Sequence, residues 1–404
     1  MVVVPKDKKS LRYIYIATVF GCFVLWITVY TPALRPSLPL EDDYMTSSEE
    51  EYIPALEPKV IKSLCTPKTF NQGQWIYDPI EIESPLNQTQ FAKAAGYHCM
   101  KKFAHRCFRK GGNEALRAKK IMDYRWQPDA CSFLEMNVEQ LADHFLQHPI
   151  LFVGDSITQL QFESLGCLLG NQFPNRHPPK STLNGGNSKI KVNELAASDR
   201  DTSSIAYIRS DYLIRLDDYK MISPFEEAGS QLGNGENYPW VHALDKFDYI
   251  VINTGPHWHP NLQWGPNQSE EELLAAFKHA MSVVLDFLKG KVKSHQKVWI
   301  RSTPYGHATC SQFKEPQANP LAPTGKTGEY EWHLFKAFDD IWEDLLSGLV
   351  KDERFNMLDI STLSNQRGDA HSKPDADCLH TCIPGPVDTW NKLLYHEIMK
   401  KFSI

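Results

Sequence analysis

At 404 residues the chain is longer than one ordinary domain, but a single α/β catalytic unit with an accessory segment and a membrane anchor accounts for it. Its 42% hydrophobic and 23% charged residues are those of a globular protein. A formal charge of −6 offers nothing to a polyanion, which argues against nucleic acid as a partner.

Residues 1–12 hold Lys6, Lys8, Lys9 and Arg12 against Asp7 alone and read as a cytosolic tail. Residues 13–31 (YIYIATVFGCFVLWITVYT) carry no charge, and an apolar run of about 19 residues is long enough for a helix to cross a ~30 Å hydrocarbon core. Tyr13, Tyr15, Trp26 and Tyr30 lie towards its ends, as an aromatic belt would. The acidic run EDDYMTSSEEE follows, so the positive-inside rule predicts a single-pass type II anchor with the rest of the chain luminal. The run exceeds the apolar core of a cleaved signal peptide and no small-x-small site follows it, so an anchor is expected rather than a removed leader. Residues 32–60, rich in Pro, Glu, Asp and Ser, read as a solvated luminal stem.

Cys22 lies in the anchor, which leaves eight cysteines: Cys65, Cys99, Cys107, Cys131, Cys167, Cys310, Cys378 and Cys382. An even luminal set suits disulfides. None has C-x-x-C spacing, and no second pair stands beside Cys378-x-x-x-Cys382, so no metal site is expected. The sequons at Asn87 and Asn267 agree with a secretory location as glycosylation acceptors. Residues 61–148 contain four of the cysteines and little periodicity, and read as a disulfide-tied accessory segment packed on the main domain.

From 149 to 404 short apolar runs alternate with amphipathic ones. Strands are predicted at 149–156 (PILFVGDS), 247–255 (FDYIVINTG), 297–304 (KVWIRSTP) and 355–361 (FNMLDIS), and helices over 270–291, 329–351 and 388–402. The alternation implies a mainly parallel sheet covered on both faces, whose functional residues gather beyond the carboxyl ends of its strands. The polar, Gly/Pro/Asn-rich stretch 175–200 reads as a long surface loop.

Three motifs fall at those strand ends. Ser156 follows ILFVGD and precedes an apolar helical stretch, a strand-to-helix turn that exposes a hydroxyl and puts its N–H where negative charge is stabilised. Asp377 stands three residues before His380, close enough in a turn to orient the imidazole as a base. Asn253 closes the run VIN before Thr254-Gly255 and could donate to an oxyanion beside the Ser156 N–H. Each has a plain structural alternative: an N-cap, a surface pair in a cystine-tied loop, a turn asparagine. Their joint occurrence in this order favours nucleophile, base and orienter.

These residues make the chain similar to the SGNH/GDSL superfamily, and specifically to the trichome-birefringence-like, or PC-esterase, family of polysaccharide O-acetyltransferases. Cys65, GQWIYDP (73–79) and YRWQPDAC (124–131) resemble that family's N-terminal cysteine region. GDSITQLQFESLGCLL (154–169), VINTGPHWH (251–259) and DCLHTCIPGPVDTWNKLLY (377–395) resemble its GDS, Asn-Thr-Gly and Asp-x-x-His blocks. The likeness implies an SGNH-type three-layer α/β/α fold, Ser156 as acetylated nucleophile, His380 as base, Asp377 as orienter, and Ser156 and Asn253 as oxyanion donors. It departs at Gln159-Leu160, where the plant family usually has Arg-Asn, and at Thr381, where it has Trp; this predicts a divergent branch with a different glycan. The family also implies pairing of Cys65 with Cys131, Cys167 with Cys99 or Cys107, and Cys310 with Cys378 or Cys382.

Weaker substrate contacts are Asp155, Gln161, His257, Trp258, Arg301 and His307, with His259 and Trp264 nearby; Trp75, Trp126 and Trp390 are assigned to the core. The activity implied is transfer of acetyl to a polysaccharide or glycan at the Golgi membrane. The co-substrate is acetyl-CoA or a derived acetyl carrier, with no bound cofactor and with an acetyl-supplying membrane protein as a candidate partner. Water in place of the sugar would make the same triad an acetylesterase, and a decayed site would leave a non-catalytic glycan-binding protein. Because cystines flank both ends of the proposed triad, reduction with dithiothreitol is expected to lower acetyl turnover together with the melting temperature.

Overall fold

The computed structural model describes residues 63–99, 103–174, 183, 191–217, 220–222, 240–260, 266–323, 330–374 and 376–402. The predicted tail, membrane span and stem (1–60) lie outside them, as does Trp264. Among the described residues no helix is long and apolar enough to cross a membrane.

An antiparallel pair, β1 (Gly73–Tyr77) and β2 (Tyr124–Pro128), flanks helix α1 (Gly112–Met122). Helix α2 (Val138–Gln147) then leads into the central sheet, built from β3 (Ile150–Gly154), β4 (Val192–Leu195), β5 (Ile205–Arg209), β6 (Tyr249–Ile252), β7 (Lys297–Arg301) and β8 (Phe355–Leu358). The order is β8-β7-β6-β3-β5-β4, parallel throughout except for β4. All five residues of β3 are buried, which fits its unbroken apolar run and a strand covered on both faces. The expected mainly parallel α/β sheet is therefore present. The loop predicted over 175–200 ends in a strand instead: Val192–Leu195 alternates in burial and pairs with β5 at the sheet edge, a short period-2 signal masked by its polar surroundings.

The helices pair off. α3 (Ser156–Leu168) packs against α6 (Pro386–Met399), and α4 (Glu270–Lys291) against α5 (Phe335–Ser347). A capping box between Ser269 and Glu272 starts α4, with Glu270 and Glu271 completing an acidic first turn that suits the helix dipole. A last antiparallel pair, β9 (His371–Lys373) and β10 (Asp377–Thr381), carries the Asp-x-x-His motif just before α6.

Residues from 63 to 148 share one core with the sheet: Phe70, Phe103, Trp126 and Phe145 belong to the same buried cluster as Phe152, Ile250 and Ile300. Trp75 Nε1 donates to Leu363 O at 2.8 Å and Trp126 Nε1 to Phe70 O at 2.9 Å, so both indoles are partnered as they enter the core. Four disulfides are formed, Cys65–Cys131, Cys99–Cys167, Cys107–Cys382 and Cys310–Cys378. They select one alternative from each pair the family likeness left open and add Cys107–Cys382. That last bond spans 275 residues of sequence, so it removes much chain entropy from the unfolded state. The double variant Cys107→Ser/Cys382→Ser is expected to lose about 2–5 kcal/mol of stability, read as a lower thermal midpoint by circular dichroism.

Candidate active site

Gly154 ends β3 and α3 begins two residues later. A Cβ at Gly154 would lie 2.4 Å from Asn253 O and 2.4 Å from Thr158 Oγ1, so only glycine lets the strand turn this tightly into the helix. Asp155 caps the helix, its Oδ1 accepting the Ile157 N–H at 2.8 Å, and Tyr207 OH donates to the carbonyls of Gly154 and Asp155 at 3.1 and 3.0 Å. Ser156 is thereby fixed as the first residue of a thirteen-residue helix, partly exposed, with its own N–H at the positive end of the dipole.

His380, on β10, reaches this serine across the fold. Its Nε2 lies 2.8 Å from Ser156 Oγ, and its Nδ1 lies 2.9 Å from Asp377 Oδ2 and 3.1 Å from Oδ1. Asp377 Oδ1 also accepts the Leu379 and His380 amides at 3.2 and 3.1 Å, so the carboxylate sits in a turn of its own strand. Burial, the largest single influence on Asp377, opposes ionisation. The bonds and charge of His380 and the two amides outweigh it and hold the carboxyl well below its ordinary value of 3.8. Nδ1–H donates to a carboxylate and Nε2 faces a hydroxyl, the relation required of orienter, base and nucleophile.

The remaining candidates separate into those near this line and those buried beneath it. Asn253 is 1% exposed, and its amide donates to Arg301 O and to Thr303 Oγ1, each at 2.8 Å. Both its hydrogens brace the end of β6 to the end of β7. Trp258 is not a cleft aromatic. It is fully buried, bonded through Nε1 to Thr254 Oγ1 at 2.9 Å and packed edge-on to Tyr212 and Phe277, because the residues after β6 fold back into the core.

Arg301 and His307 are likewise buried. Arg301 is 0% exposed, with Nη2 on Thr158 Oγ1 at 3.2 Å, Nη1 on Ser302 O at 2.8 Å, and its guanidinium over Trp390 at 5.1 Å. His307 is buried against His371 (Nδ1 to Nε2, 2.6 Å), and burial pushes it down to about 4. Asp155 and Gln161 are both 0% exposed; the first is the helix cap, and the second sits in α3 with its carbonyl accepting from Asn391 Nδ2 at 3.2 Å. Of the weaker set, His257 keeps partial exposure, with Nε2 3.8 Å from Asp211 Oδ1 and rings of Tyr212 and Tyr330 edge-on to it. His259 is also partly exposed.

Gln159, where a cation was missed in the sequence, bonds Glu163 Oε1 at 2.6 Å, while the charge beneath the turn comes from Arg301. Both sequon asparagines are exposed; Asn87 caps the helix Gln88–Ala94 and Asn267 Nδ2 donates to Glu272 Oε1 at 3.1 Å. Glu270, Glu331 and His333 bring ligand-type atoms within 4.8 Å of one another, with His333 Nε2 2.9 Å from Glu270 Oε1 and its Nδ1 3.9 Å from Glu331 Oε2. A groove of about 1460 Å³ lined by Lys68, Asp248, Lys297 and Phe355 includes no member of the Ser156–His380–Asp377 line, so cavity size does not lead to it. One neighbour escaped the sequence reading: His105 stacks on His380, and nothing in the irregular run around it signals that contact.

A family model described as PC-Esterase, a GDSL/SGNH-like acyl-esterase family found in Pmr5 and Cas1p, matches residues 135–397. The chain is 24% identical to Protein trichome birefringence-like 9 of Arabidopsis thaliana over 364 residues, 82% of this chain and 83% of the relative. It is 24% identical to Xyloglucan O-acetyltransferase 1 of the same plant over 402 residues, 89% and 86% of the two, and 25% identical to Protein trichome birefringence-like 42 over 350 residues, 81% and 88%.

Asp377→Asn is expected to lower kcat on p-nitrophenyl acetate by about 10³- to 10⁴-fold with little change in KM. The folded carboxyl titrates below the unfolded one, so its stabilisation is complete above the ordinary value of 3.8 and disappears as pH falls through the depressed folded value. The gap in melting temperature between wild type and Asp377→Asn should accordingly close between neutral and strongly acid pH.

Proposed function

From the premise that the chain belongs to the PC-Esterase family of GDSL/SGNH-like acyl-esterases, we propose that it transfers acetyl groups to hydroxyls of a polysaccharide or glycan through an acetyl-Ser156 intermediate. The observation that carries the reading is the continuous hydrogen-bonded line from Ser156 Oγ through the His380 ring to Asp377. In the first half-reaction Ser156 Oγ attacks the acetyl carbonyl while His380 Nε2 takes its proton. Asp377 keeps the other ring nitrogen protonated and stabilises the imidazolium, and the Ser156 N–H at the start of α3 faces the developing oxyanion. Collapse expels the donor's leaving group, which receives the proton from His380. In the second half-reaction a sugar hydroxyl gives its proton to His380 and attacks the acetyl-serine carbonyl; collapse breaks the bond to Ser156 Oγ, which takes the proton back from His380.

Transfer is favoured over hydrolysis because a relative spanning most of the chain is named a xyloglucan O-acetyltransferase. The acceptor of this chain is left to experiment at the level of a glycan hydroxyl. The donor is proposed to be acetyl-CoA or a carrier derived from it, and the setting the luminal side of the Golgi membrane, which the charge-flanked apolar run over 13–31 supports.

The purified full chain incubated with labelled acetyl-CoA or an acetylated carrier and a panel of oligosaccharides should gain one acetyl group on Ser156 by mass spectrometry and pass it to sugar. Ser156→Ala should do neither. Label appearing only as free acetate would make the protein an esterase, and unchanged glycan acetylation in cells carrying Ser156→Ala would remove the enzymatic reading.

A further inference from the structure

We propose that His105, contributed by the accessory segment, is a positioning residue that holds the His380 ring in the plane joining Asp377 to Ser156; the inference rests on the reading of Ser156 and His380 as nucleophile and base. The two imidazoles stack nearly parallel, with centroids 4.9 Å apart and planes at 14°. His105 is itself fixed at several points. Its Nδ1 meets Ser372 Oγ at 3.0 Å, and its carbonyl accepts the Ile383 N–H at 2.8 Å. Lys110 Nζ donates to Ser372 O at 2.5 Å. Two residues past His105, Cys107 is bonded to Cys382, which stands two residues past His380. The loop is thus strapped along the strand that carries the base, covalently and by backbone hydrogen bonds.

A base that gains and loses a proton in each half-reaction must do so without swinging about its Cβ–Cγ bond. Asp377 grips one edge of the ring, and the second hold, from Ser156 Oγ on Nε2, is absent while that oxygen is acylated. A flat partner on the ring face blocks that swing while leaving both nitrogens available. The partner has to be uncharged, since a cation stacked on the face would oppose proton uptake. His105 meets that condition. Burial first, then the His380 charge, push it down to about 4, with Lys373 and Lys110 acting the same way and Asp377 against them.

The full chain, His105→Ala, His105→Asn and His105→Phe are compared by the rate at which diisopropyl fluorophosphate labels Ser156 and by kcat and KM on p-nitrophenyl acetate. Labelling needs only an activated serine, so it reports on His105 whether or not glycans are the acceptors. His105→Ala is expected to lower the labelling rate and kcat about 10- to 100-fold, with KM within about twofold. His105→Asn, which retains a polar bond to Ser372 without the ring, should behave like His105→Ala. His105→Phe, which retains a flat ring, should stay within about threefold of wild type. A wild-type rate in a folded His105→Ala overturns the proposal; if that variant does not fold, a wild-type rate in His105→Asn does so, as does a full loss in His105→Phe. Wild-type protein that is labelled at Ser156 yet never acetylates a glycan defeats the acetyltransferase reading and leaves the role of His105 intact.

Discussion

A hydroxyl and an imidazole separated by 224 residues of sequence must meet at 2.8 Å, and most of the architecture can be understood as satisfying that constraint. Half of the problem is local. Asp377 and His380 lie three apart, and the turn in which Asp377 Oδ1 accepts the Leu379 and His380 amides sets carboxylate and ring relative to each other. What remains is to set one short strand against the first turn of one helix. Cys310–Cys378 fixes the strand at its start and Cys107–Cys382 just past its end. Beyond it, α6 packs on α3, where Ser164 Oγ donates to Asp388 Oδ1 at 2.6 Å and Asn391 Nδ2 donates to Ser164 Oγ at 2.9 Å. Both walls of the site are therefore built on the same helix pair.

Beneath the turn that carries Ser156 the structure buries charge. Arg301 has no exposure, and burial pushes its guanidinium down to about 10 against the pull of the Asp155 and Asp339 carboxyls. Asp339 is raised by its own burial even though it accepts the Thr303 N–H at 3.0 Å. Such groups are expensive to bury unless partnered, and breaking one partnership strands the other member. Arg301 donates to Thr158 Oγ1 in the first turn of α3 and to Ser302 O just past β7, so the bonds that partner the guanidinium also brace the turn presenting Ser156.

Four of the six sheet strands and the main helices were legible because their signals are periodic and local, whereas β4 and β5 were not predicted. The run ILFV before Gly154 reads as a fully buried strand and is one, and the Ser269–Glu272 pair announces the start of α4. Ser156 at its strand-to-helix turn and the Asp-x-x-His pair were legible for the same reason, each being a short motif at the edge of a strand. The companions were not. Asn253, Trp258, Arg301 and His307 sit at the right strand ends, but which way a side chain points depends on the element packed behind it, and all four turn inward to satisfy buried partners. Strand β4 was hidden by its polar neighbours, and His105 by an irregular segment whose place is set through a cystine to the far end of the chain.

Composition divides the chain near residue 149, and mechanics does not. Residues Ile61–Ile404 form one compact unit, and three aromatic anchors of the early segment, Phe70, Phe103 and Trp126, share the core beneath the sheet. Two of the four cystines cross that boundary, one reaching α3 through Cys167 and the other the base-bearing strand through Cys382. A segment that merely covered apolar surface would need neither link at those two places. Cross-links placed on the helix of Ser156 and beside the strand of His380 instead make the early segment a clamp across the two elements that carry these residues.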